Sequence, residues 1–194
     1  MMPVMSPDLV LASTSPRRHD LLRGAGYSFI IDAAHIDETG GGTESAPVLV
    51  MRLALAKALH VSGRHPGAVI LGVDTSVEVS GMNLGKPASV RDAGDMLSML
   101  SGRTHRVHSG VAVVAPGRSS IEVECTAVTF RDLTPDEIRL YVATGEPMDC
   151  AGAYAIQSGA AGFVAHTAGP TNNVMGLPVD LVELILHRYG IRPG

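Results

Sequence analysis

Two consecutive arginines, Arg17 and Arg18, stand where the sequence predicts the first turn of a helix. Ser15 is a favourable N-cap residue and Pro16 suits the first helical position, which puts the arginines at the second and third positions. A helix N-terminus carries about half a positive charge, so cations are unfavourable there. The same end binds anions through its backbone N–H groups, and arginine recognises phosphate in a bidentate manner. The pair therefore indicates either a solvated helix face or a polyanion site.

Three carboxylates are the candidate partners for such a site. Asp74 comes directly after the apolar run of "VILGVDTSV", where an unpaired buried carboxylate would be costly. It is either a capping residue at the strand end, or a metal ligand or general base at the mouth of a cleft. Asp37 and Glu38 open a polar, glycine-rich loop. They are either solvated loop residues or oxygen ligands of the kind that magnesium and manganese prefer.

Two lysines complete the set of candidate residues. Lys86 lies in "LGKP" and Lys57 lies in mid-helix between Ala56 and Ala58. Taken alone, Lys86 would be an exposed turn lysine, and Lys57 would lie on the surface with its stem along the helix. Together with the arginines and carboxylates, however, they favour the chemistry of phosphate esters or phosphoanhydrides. The pattern does not identify a substrate.

Several other chemistries lack their sequence signals. The chain contains no GxxxxGK[ST] loop, no GxSxG and no HExxH. His105 and His108 are three residues apart in a predicted strand and therefore point to opposite faces, which argues against a zinc site. The two cysteines, Cys125 and Cys150, are far apart and give neither a metal pattern nor a disulfide framework.

Composition sets the class of protein. The 194 residues are 45% hydrophobic and 18% charged, which predicts a single domain, residues 1–194, with a sizeable core. The net charge of −4 and the absence of a run of five like charges argue against a nucleic-acid or membrane-surface partner. No uncharged apolar run approaches about 18 residues, and the first thirteen residues hold no Lys or Arg. We expect a soluble, cytoplasmic protein.

Helix-like and strand-like segments alternate along the chain. Helices are predicted from Pro16 to about Gly24, and over 47–63, 89–102, 133–146 and 177–190. Strands are predicted over 9–12, 27–34, 67–79, 104–115 and 119–130, with a hairpin turn at "SGMN". In the second helix the predicted apolar face contains Leu49, Leu53, Ala56 and Leu59. The segment 151–163 is too rich in glycine to assign. The alternation predicts an α/β fold with a mixed sheet.

Eight segments match the motifs of one family, in that family's order and over nearly the whole chain. They are "LASTSPRRHDLL" at 11–22, "DE" at 37–38, "RLALAKA" at 52–58, "GVDTSV" at 72–77, "LGKP" at 84–87, "DAGDMLSMLSGRTHRVHSGVAV" at 92–113, "GEPMDCAGAYAIQ" at 145–157 and "NNVMGLP" at 172–178. With this set the chain resembles the Maf family of nucleoside triphosphate pyrophosphatases.

The resemblance implies a fold, a reaction and a set of site residues. The fold is α/β and Maf/ITPase-like, with an elongated mixed sheet flanked by helices and two lobes around a central cleft. The reaction is hydrolysis of a nucleoside triphosphate to the monophosphate and pyrophosphate with a divalent metal, Mg²⁺ or Mn²⁺. Asp74 would be the catalytic proton acceptor and a metal ligand, with Glu38 as a second ligand. The substrate-binding residues would be Ser13, Arg17, Arg18, Lys57, Thr75, Lys86 and Gln157, of which Arg17, Thr75 and Gln157 would set the preference for a base.

The base is where this sequence mixes two branches of the family. Cys150 stands where the pyrimidine branch usually has Lys, and "CAG" is similar to the 7-methylguanosine branch. Gln157 is neutral and can both donate and accept hydrogen bonds, which suits the imide edge of thymine or uracil. A 7-methylguanine ring is positively charged and should favour a carboxylate. Because Cys is a weak hydrogen-bonding partner, Gln157 is a stronger indicator of the bound base than Cys150. The sequence therefore predicts a preference for dTTP and UTP.

Two alternatives stay open at this point. One is a 7-methyl-GTP pyrophosphatase of the same family. The other is a nucleotide-binding regulator of septum formation in which hydrolysis is secondary. The sequence leaves room for a homodimer and does not determine the oligomeric state.

Overall fold

The computed structural model describes residues 9–36 and 44–194, so Asp37 and Glu38 lie outside the described residues. Within these ranges the strands are β1 (Leu9–Leu11), β2 (Ile30–Ile31), β3 (Val69–Val79), β4 (Met82–Leu84), β5 (Thr104–Ala115), β6 (Arg118–Phe130) and β7 (Val164–Ala168). The helices are α1 (Pro16–Gly24), α2 (Ala46–Ser62), α3 (Val90–Leu100), α4 (Pro135–Val142), α5 (Thr171–Val174) and α6 (Val179–Arg188). Short 3₁₀ helices cover Glu146–Asp149, Ala151–Ala153 and Ala161–Phe163.

The described strands form one mixed sheet of seven strands. Its order is β2-β1-β3-β5-β6-β7, and β4 pairs with β3 off this path. β1 pairs in parallel with β2 and β3, whereas β3–β4 and β6–β7 are antiparallel. The prediction of an α/β fold with a mixed sheet flanked by helices is confirmed.

The chain divides into two compact units. Unit 1 contains the described residues up to Asp74 together with Ser109–Glu124 and Gly176–Gly194. Unit 2 contains Thr75–His108 and Cys125–Met175. The strand β3 therefore passes from one unit to the next between Asp74 and Thr75.

Unit 1 has a core on each face of its strands. On one face, Leu71 and Val113 belong to a buried cluster with Leu22 of α1 and Leu186 of α6. On the other face, the buried cluster joins Ile70 of β3 to the small residues of α2. Helices thus cover both faces of β3 in this unit, with α1 and α6 on one face and α2 on the other.

The buried face of α2 differs from the predicted one. Its buried residues are Ala46, Val50, Leu53, Ala54, Lys57, Ala58 and Val61, while Leu59 is 52% exposed. The reason lies in β3 and β5. A Cβ on Gly72 would lie 2.2 Å from the carbonyl oxygen of Ala54, and one on Gly110 would lie 2.3 Å from that of Val50. The helix approaches the sheet so closely that Ala54 and Ala58 lie on its inward face, whereas only Leu53 of the predicted face is buried.

We expect Gly72→Ala to lower the free energy of unfolding by about 1–3 kcal/mol, because an added methyl group forces α2 away from β3. Chemical denaturation monitored by circular dichroism measures the change. Gly63→Ala is the matched control, since a Cβ there meets no atom within 4 Å. Equal stability of the two variants would contradict the close approach.

Unit 2 has its own core, formed by α3, α4 and one face of its strands. Leu97 and Leu100 of α3 are buried in it with Tyr141 of α4. The ring of Phe130 meets those of Tyr154 and Phe163 edge to face, at centroid distances of 4.9 and 6.0 Å. This core supports the segment 151–163, which the sequence analysis left unassigned.

Ser89 and Thr134 are the N-cap residues of α3 and α4 in unit 2. The Ser89 hydroxyl accepts a hydrogen bond from the Asp92 N–H at 3.1 Å at the start of α3. Thr134 and Glu137 form a capping box at the start of α4. The hairpin between β3 and β4 turns at Ser80 and Gly81, both with positive φ, as the "SGMN" motif predicts.

Other predictions were wrong in extent. The strand predicted over 27–34 shortens to β2, two exposed residues that pair only with the three-residue β1. Neither β7 nor α5 was predicted. In the part of the chain that the structure describes, none of the helices combines the length and the apolar character needed to cross a membrane.

Candidate active site

The loop between β1 and α1 is folded around the side chain of Ser13. Its hydroxyl oxygen accepts hydrogen bonds from the Ser15 N–H at 3.2 Å and from Nη1 of Arg18 at 3.3 Å. The Ser13 carbonyl lies 2.9 Å from Nε2 of His19. Ser15 holds the N-cap position and Pro16 begins the helix, as predicted, although the Ser15 side chain makes no capping hydrogen bond.

Arg18 is fixed at a second point. Its Nε donates a hydrogen bond of 2.8 Å to the carbonyl oxygen of Gly176, which lies between α5 and α6 in the "NNVMGLP" motif. Arg17 precedes it on α1 and is half-buried. The structure therefore brings Ser13 and Arg18 together at the helix start, where backbone N–H groups and guanidinium groups favour an anion. Gly176, which the sequence analysis did not single out, contributes to this geometry.

Lys57 and Asp74 form a buried ion pair. The Lys57 Nζ lies 2.6 Å from the Asp74 Oδ1, and the two side chains are 9% and 11% exposed. The interpretation of Lys57 as a surface lysine is therefore wrong. It is buried because it shares the inward face of α2 with Ala54 and Ala58, which pack closely on Gly72.

Asp74 lies inside β3, within the strand predicted over 67–79, so the alternative of a capping residue at a strand end is wrong. A buried carboxylate loses its hydration, and the ammonium group of Lys57 offsets that cost. The pair thus keeps a charged oxygen acceptor within unit 1, the unit that also holds Ser13, Arg17 and Arg18. Unit 1 therefore holds both a carboxylate that can accept a proton and cationic groups that can bind phosphate.

The other candidate residues lie in unit 2. Thr75 follows Asp74 on β3 and is half-buried. Lys86 follows β4, and its Nζ lies 3.6 Å from Oδ1 of Asp149, with both side chains largely exposed. Gln157 is exposed in a turn of residues 156–160. Lys86 and Gln157 are thus accessible to a ligand.

The described residues offer too few donor atoms for a metal ion that the protein holds alone. They are compatible with a magnesium ion that binds together with a nucleotide. Among residues 9–36 and 44–194, no group of three or more His, Cys, Asp or Glu side chains could hold a metal ion. Magnesium bound with a nucleotide, however, uses one or two protein carboxylates and takes its remaining ligands from phosphates and water. Asp74 supplies one carboxylate among the described residues, and Glu38, the second predicted ligand, lies outside them.

The two histidines of β5 have structural partners. His105 is buried, with Nε2 2.8 Å from the hydroxyl of Tyr154, and burial lowers the pKa of His105 to about 4. The imidazole is therefore neutral at pH 7. Nε2 of His108 lies 2.9 Å from the Glu78 carboxylate.

Comparison with known proteins shows the family of the chain. A profile described as "Maf-like protein" matches residues 8–189. The chain is 47% identical over 182 residues to a dTTP/UTP pyrophosphatase of Symbiobacterium thermophilum, with 94% of each chain covered. It is 50% identical over 185 residues to a dTTP/UTP pyrophosphatase of Moorella thermoacetica, covering 94% of this chain and 95% of that one.

Among solved structures, the fold is similar to that of a HAM1 protein from Coxiella burnetii. The TM-score is 0.53 at 17% identity, with 94% of this chain and 99% of that chain covered. At this identity the likeness concerns the fold alone, and it supports the mixed α/β architecture described above.

Proposed function

The chain belongs to the Maf-like protein family, and from this membership we propose that it hydrolyses dTTP and UTP to the nucleoside monophosphate and pyrophosphate. The observation that carries the proposal is the buried Lys57–Asp74 pair, in the same unit as the Ser13–Arg18 contact. Such an ion pair is unnecessary for a fold and useful for a reaction that needs a carboxylate and a cation together. The relatives named for this activity match almost the full chain.

In the proposed reaction, water attacks the α-phosphorus and the bond between this phosphorus and the oxygen that bridges to the β-phosphate breaks. The Asp74 carboxylate accepts the proton that the water loses, and the electron pair of the broken bond stays on the bridging oxygen, which leaves with the pyrophosphate. Lys57 stabilises the ionised form of Asp74 until the proton arrives. General-base catalysis of this kind contributes about 10²–10⁴ to a rate.

The cations bind and orient the triphosphate. The residues that we assign to binding of the phosphates are Ser13, Arg17, Arg18, Lys57 and Lys86. Backbone N–H groups, guanidinium groups and ammonium groups bind phosphate oxygens and stabilise the negative charge of the transition state. A bound Mg²⁺ or Mn²⁺ would neutralise phosphate charge, with Asp74 and Glu38 as its protein ligands. Phosphoryl transfer depends mainly on such positioning and electrostatic stabilisation.

We assign the preference for a base to Arg17, Thr75 and Gln157. The glutamine amide donates to a carbonyl of thymine or uracil and accepts from the imide N–H. We place the protein in the cytoplasm, with a nucleoside triphosphate as its partner and no nucleic acid or membrane. A homodimer is compatible with the proposal.

One observation bears on the second candidate, a 7-methyl-GTP pyrophosphatase. Its sequence signal was Cys150, yet this side chain is 3% exposed and its Sγ donates to the carbonyl oxygen of Glu146 at 3.4 Å. A buried thiol used in this way does not present itself to a base. The position of Cys150 therefore favours the pyrimidine assignment.

Product analysis tests the proposed reaction. With Mg²⁺ or Mn²⁺, we expect dTTP to yield dTMP and pyrophosphate in equal amounts, separated by ion-exchange chromatography. Formation of dTDP and inorganic phosphate would contradict cleavage between the α- and β-phosphates. Binding of nucleotides without any product would favour the regulatory alternative.

Changing the base contact gives a separate prediction. We expect Gln157→Glu to lower kcat/KM for dTTP by about tenfold, because an ionised carboxylate cannot donate to a base carbonyl. Asn83→Asp in β4 is the matched control, since it makes the same amide-to-carboxylate change elsewhere in unit 2. Equal kinetics of the two variants with dTTP would remove Gln157 from base recognition.

A further inference from the structure

The turn that contains Gln157 is held by a carboxylate from another segment. One oxygen of Glu146 accepts a hydrogen bond from the Ser158 hydroxyl, and the other accepts from the Gly159 N–H at 3.1 Å. Both donors follow Gln157 directly in the chain. The turn belongs to no helix or strand and so lacks a regular pattern of backbone hydrogen bonds. The two bonds to Glu146 hold its conformation instead.

The chain before Gln157 is held by a buried tyrosine. The Tyr141 hydroxyl accepts a hydrogen bond from the Ala155 N–H at 3.0 Å. The ring is 5% exposed and stands edge to face with Phe163 at a centroid distance of 5.2 Å. Tyr141 is therefore a rigid support anchored in the core of unit 2.

The two supports are connected. Burial, together with a hydrogen bond to Glu146, raises the pKa of Tyr141 above its ordinary value. The phenol therefore stays protonated. Its O–H group donates a hydrogen bond to the Glu146 carboxylate, while its oxygen accepts a hydrogen bond from the Ala155 N–H. A Cβ on Gly159 would lie 2.6 Å from the Tyr141 ring and 2.8 Å from the Glu146 carboxylate, so the turn lies directly against both residues.

We infer that Glu146 and Tyr141 are positioning residues that fix the turn around Gln157 and so determine the preference for a pyrimidine base. The inference rests on the proposed function, because it takes Gln157 as the contact to the base. An exposed side chain on a free turn would lose conformational entropy on binding. A turn fixed on both sides of Gln157 has lost that entropy already, so that binding becomes tighter and more selective.

A double-mutant cycle separates this role from general support of the fold. We expect Glu146→Ala to raise KM for dTTP about tenfold while kcat stays within about twofold, as for the loss of one well-placed hydrogen bond. Tyr141→Phe, which keeps the ring in the core, should raise KM in the same direction. In the Gln157→Ala background, Glu146→Ala should change KM by less than about twofold, because its effect passes through Gln157.

Two further variants serve as controls. Glu146→Gln should restore KM to within about threefold, because its amide oxygen can accept from Gly159 and its NH₂ group can donate to Ser158. Asp136→Ala, which removes an exposed carboxylate on α4, should leave KM at the wild-type value. Multiplicative effects of Glu146→Ala and Gln157→Ala, or an unchanged KM in Glu146→Ala, would overturn the inference.

Calorimetric binding of dTTP, measured in the Asp74→Asn background so that the nucleotide is not consumed during the titration, makes the outcome independent of turnover. If the wild-type protein bound dTTP without hydrolysing it, the proposed function would be wrong. The same double-mutant cycle, measured as Kd for dTTP, would still show whether Glu146 acts through Gln157. Should Glu146→Ala fail to fold, Ser158→Ala removes only one of the two bonds, and an increase of about threefold in Kd is expected. An unchanged Kd in that variant would count against the inference.

Discussion

Replacing Asp74 with Asn should lower the rate of dTTP hydrolysis by at least about two orders of magnitude. The amide occupies the same space and can still accept a hydrogen bond from Lys57, but it cannot accept the proton of the attacking water. The measurement is the steady-state release of pyrophosphate at saturating dTTP. Turnover close to that of the wild type would exclude Asp74 as the general base.

The buried ion pair allows activity and stability to be separated. Removing one charge of such a pair destabilises by about 3–5 kcal/mol, and less where an amide retains the hydrogen bond, so Asp74→Asn should also lower Tm. Adding Lys57→Met replaces the remaining buried charge by an apolar chain of similar volume and should recover Tm. Because this double variant still lacks the carboxylate, it should remain inactive. Recovered activity in the double variant would show that the effect of Asp74→Asn came from instability.

Arg18→Ala should lower kcat/KM by about 10–100-fold, and by the same factor for dTTP and UTP. The guanidinium makes charge-assisted hydrogen bonds to phosphate, which are worth about 1.5–3 kcal/mol each, and phosphates are common to all nucleotides. Its bonds to Ser13 and Gly176 hold it in place before substrate arrives. The measurement is kcat/KM for each nucleotide in parallel.

Arg23→Ala provides the matched control for this prediction. Arg23 lies in the last turn of the same helix, over the ring of Phe29, so its removal takes one positive charge from α1 without touching the helix start. Its kcat/KM should equal that of the wild type. A loss in Arg18→Ala restricted to one nucleotide would contradict the assignment of Arg18 to phosphate.

The sequence was sufficient where structure depends on local signals. The helix α3 follows from the Ser89 cap and from buried residues at helical spacing, such as Met96 and Leu100. The helix α4 follows from a capping box that lies within four residues. The neighbouring strands β5 and β6 follow from two long strand-like segments on either side of a short turn. In each case, the interactions that define the element lie within it or beside it.

Prediction failed where distant residues decide the outcome. The inward face of α2 is set by Gly72 and Gly110, which lie on strands that follow it in the chain, and periodicity within the helix could not reveal them. The bounds of β2 and β7 depend on how far a neighbouring strand extends. Both are edge strands, whose own residues carry a weak signal.

In the candidate site, too, local features could be predicted from sequence, whereas contacts between distant residues could not. Arg17 and Arg18 could be placed at a helix start from sequence alone, and family motifs identified Asp74 and Lys57. That these two are partners depends on how α2 packs on β3. Glu146 lay in a matched motif, but its contact with the turn around Gln157 became visible only in three dimensions.

The most direct test of the central claim is a comparison of pyrophosphate release by the wild-type protein from dTTP, UTP and 7-methyl-GTP, side by side with Mg²⁺ or Mn²⁺. The account holds that Gln157 binds the pyrimidine base and that the Lys57–Asp74 pair activates water. It predicts that kcat/KM for both pyrimidine nucleotides exceeds that for 7-methyl-GTP by at least about tenfold. Faster hydrolysis of 7-methyl-GTP than of both pyrimidine nucleotides would contradict the account.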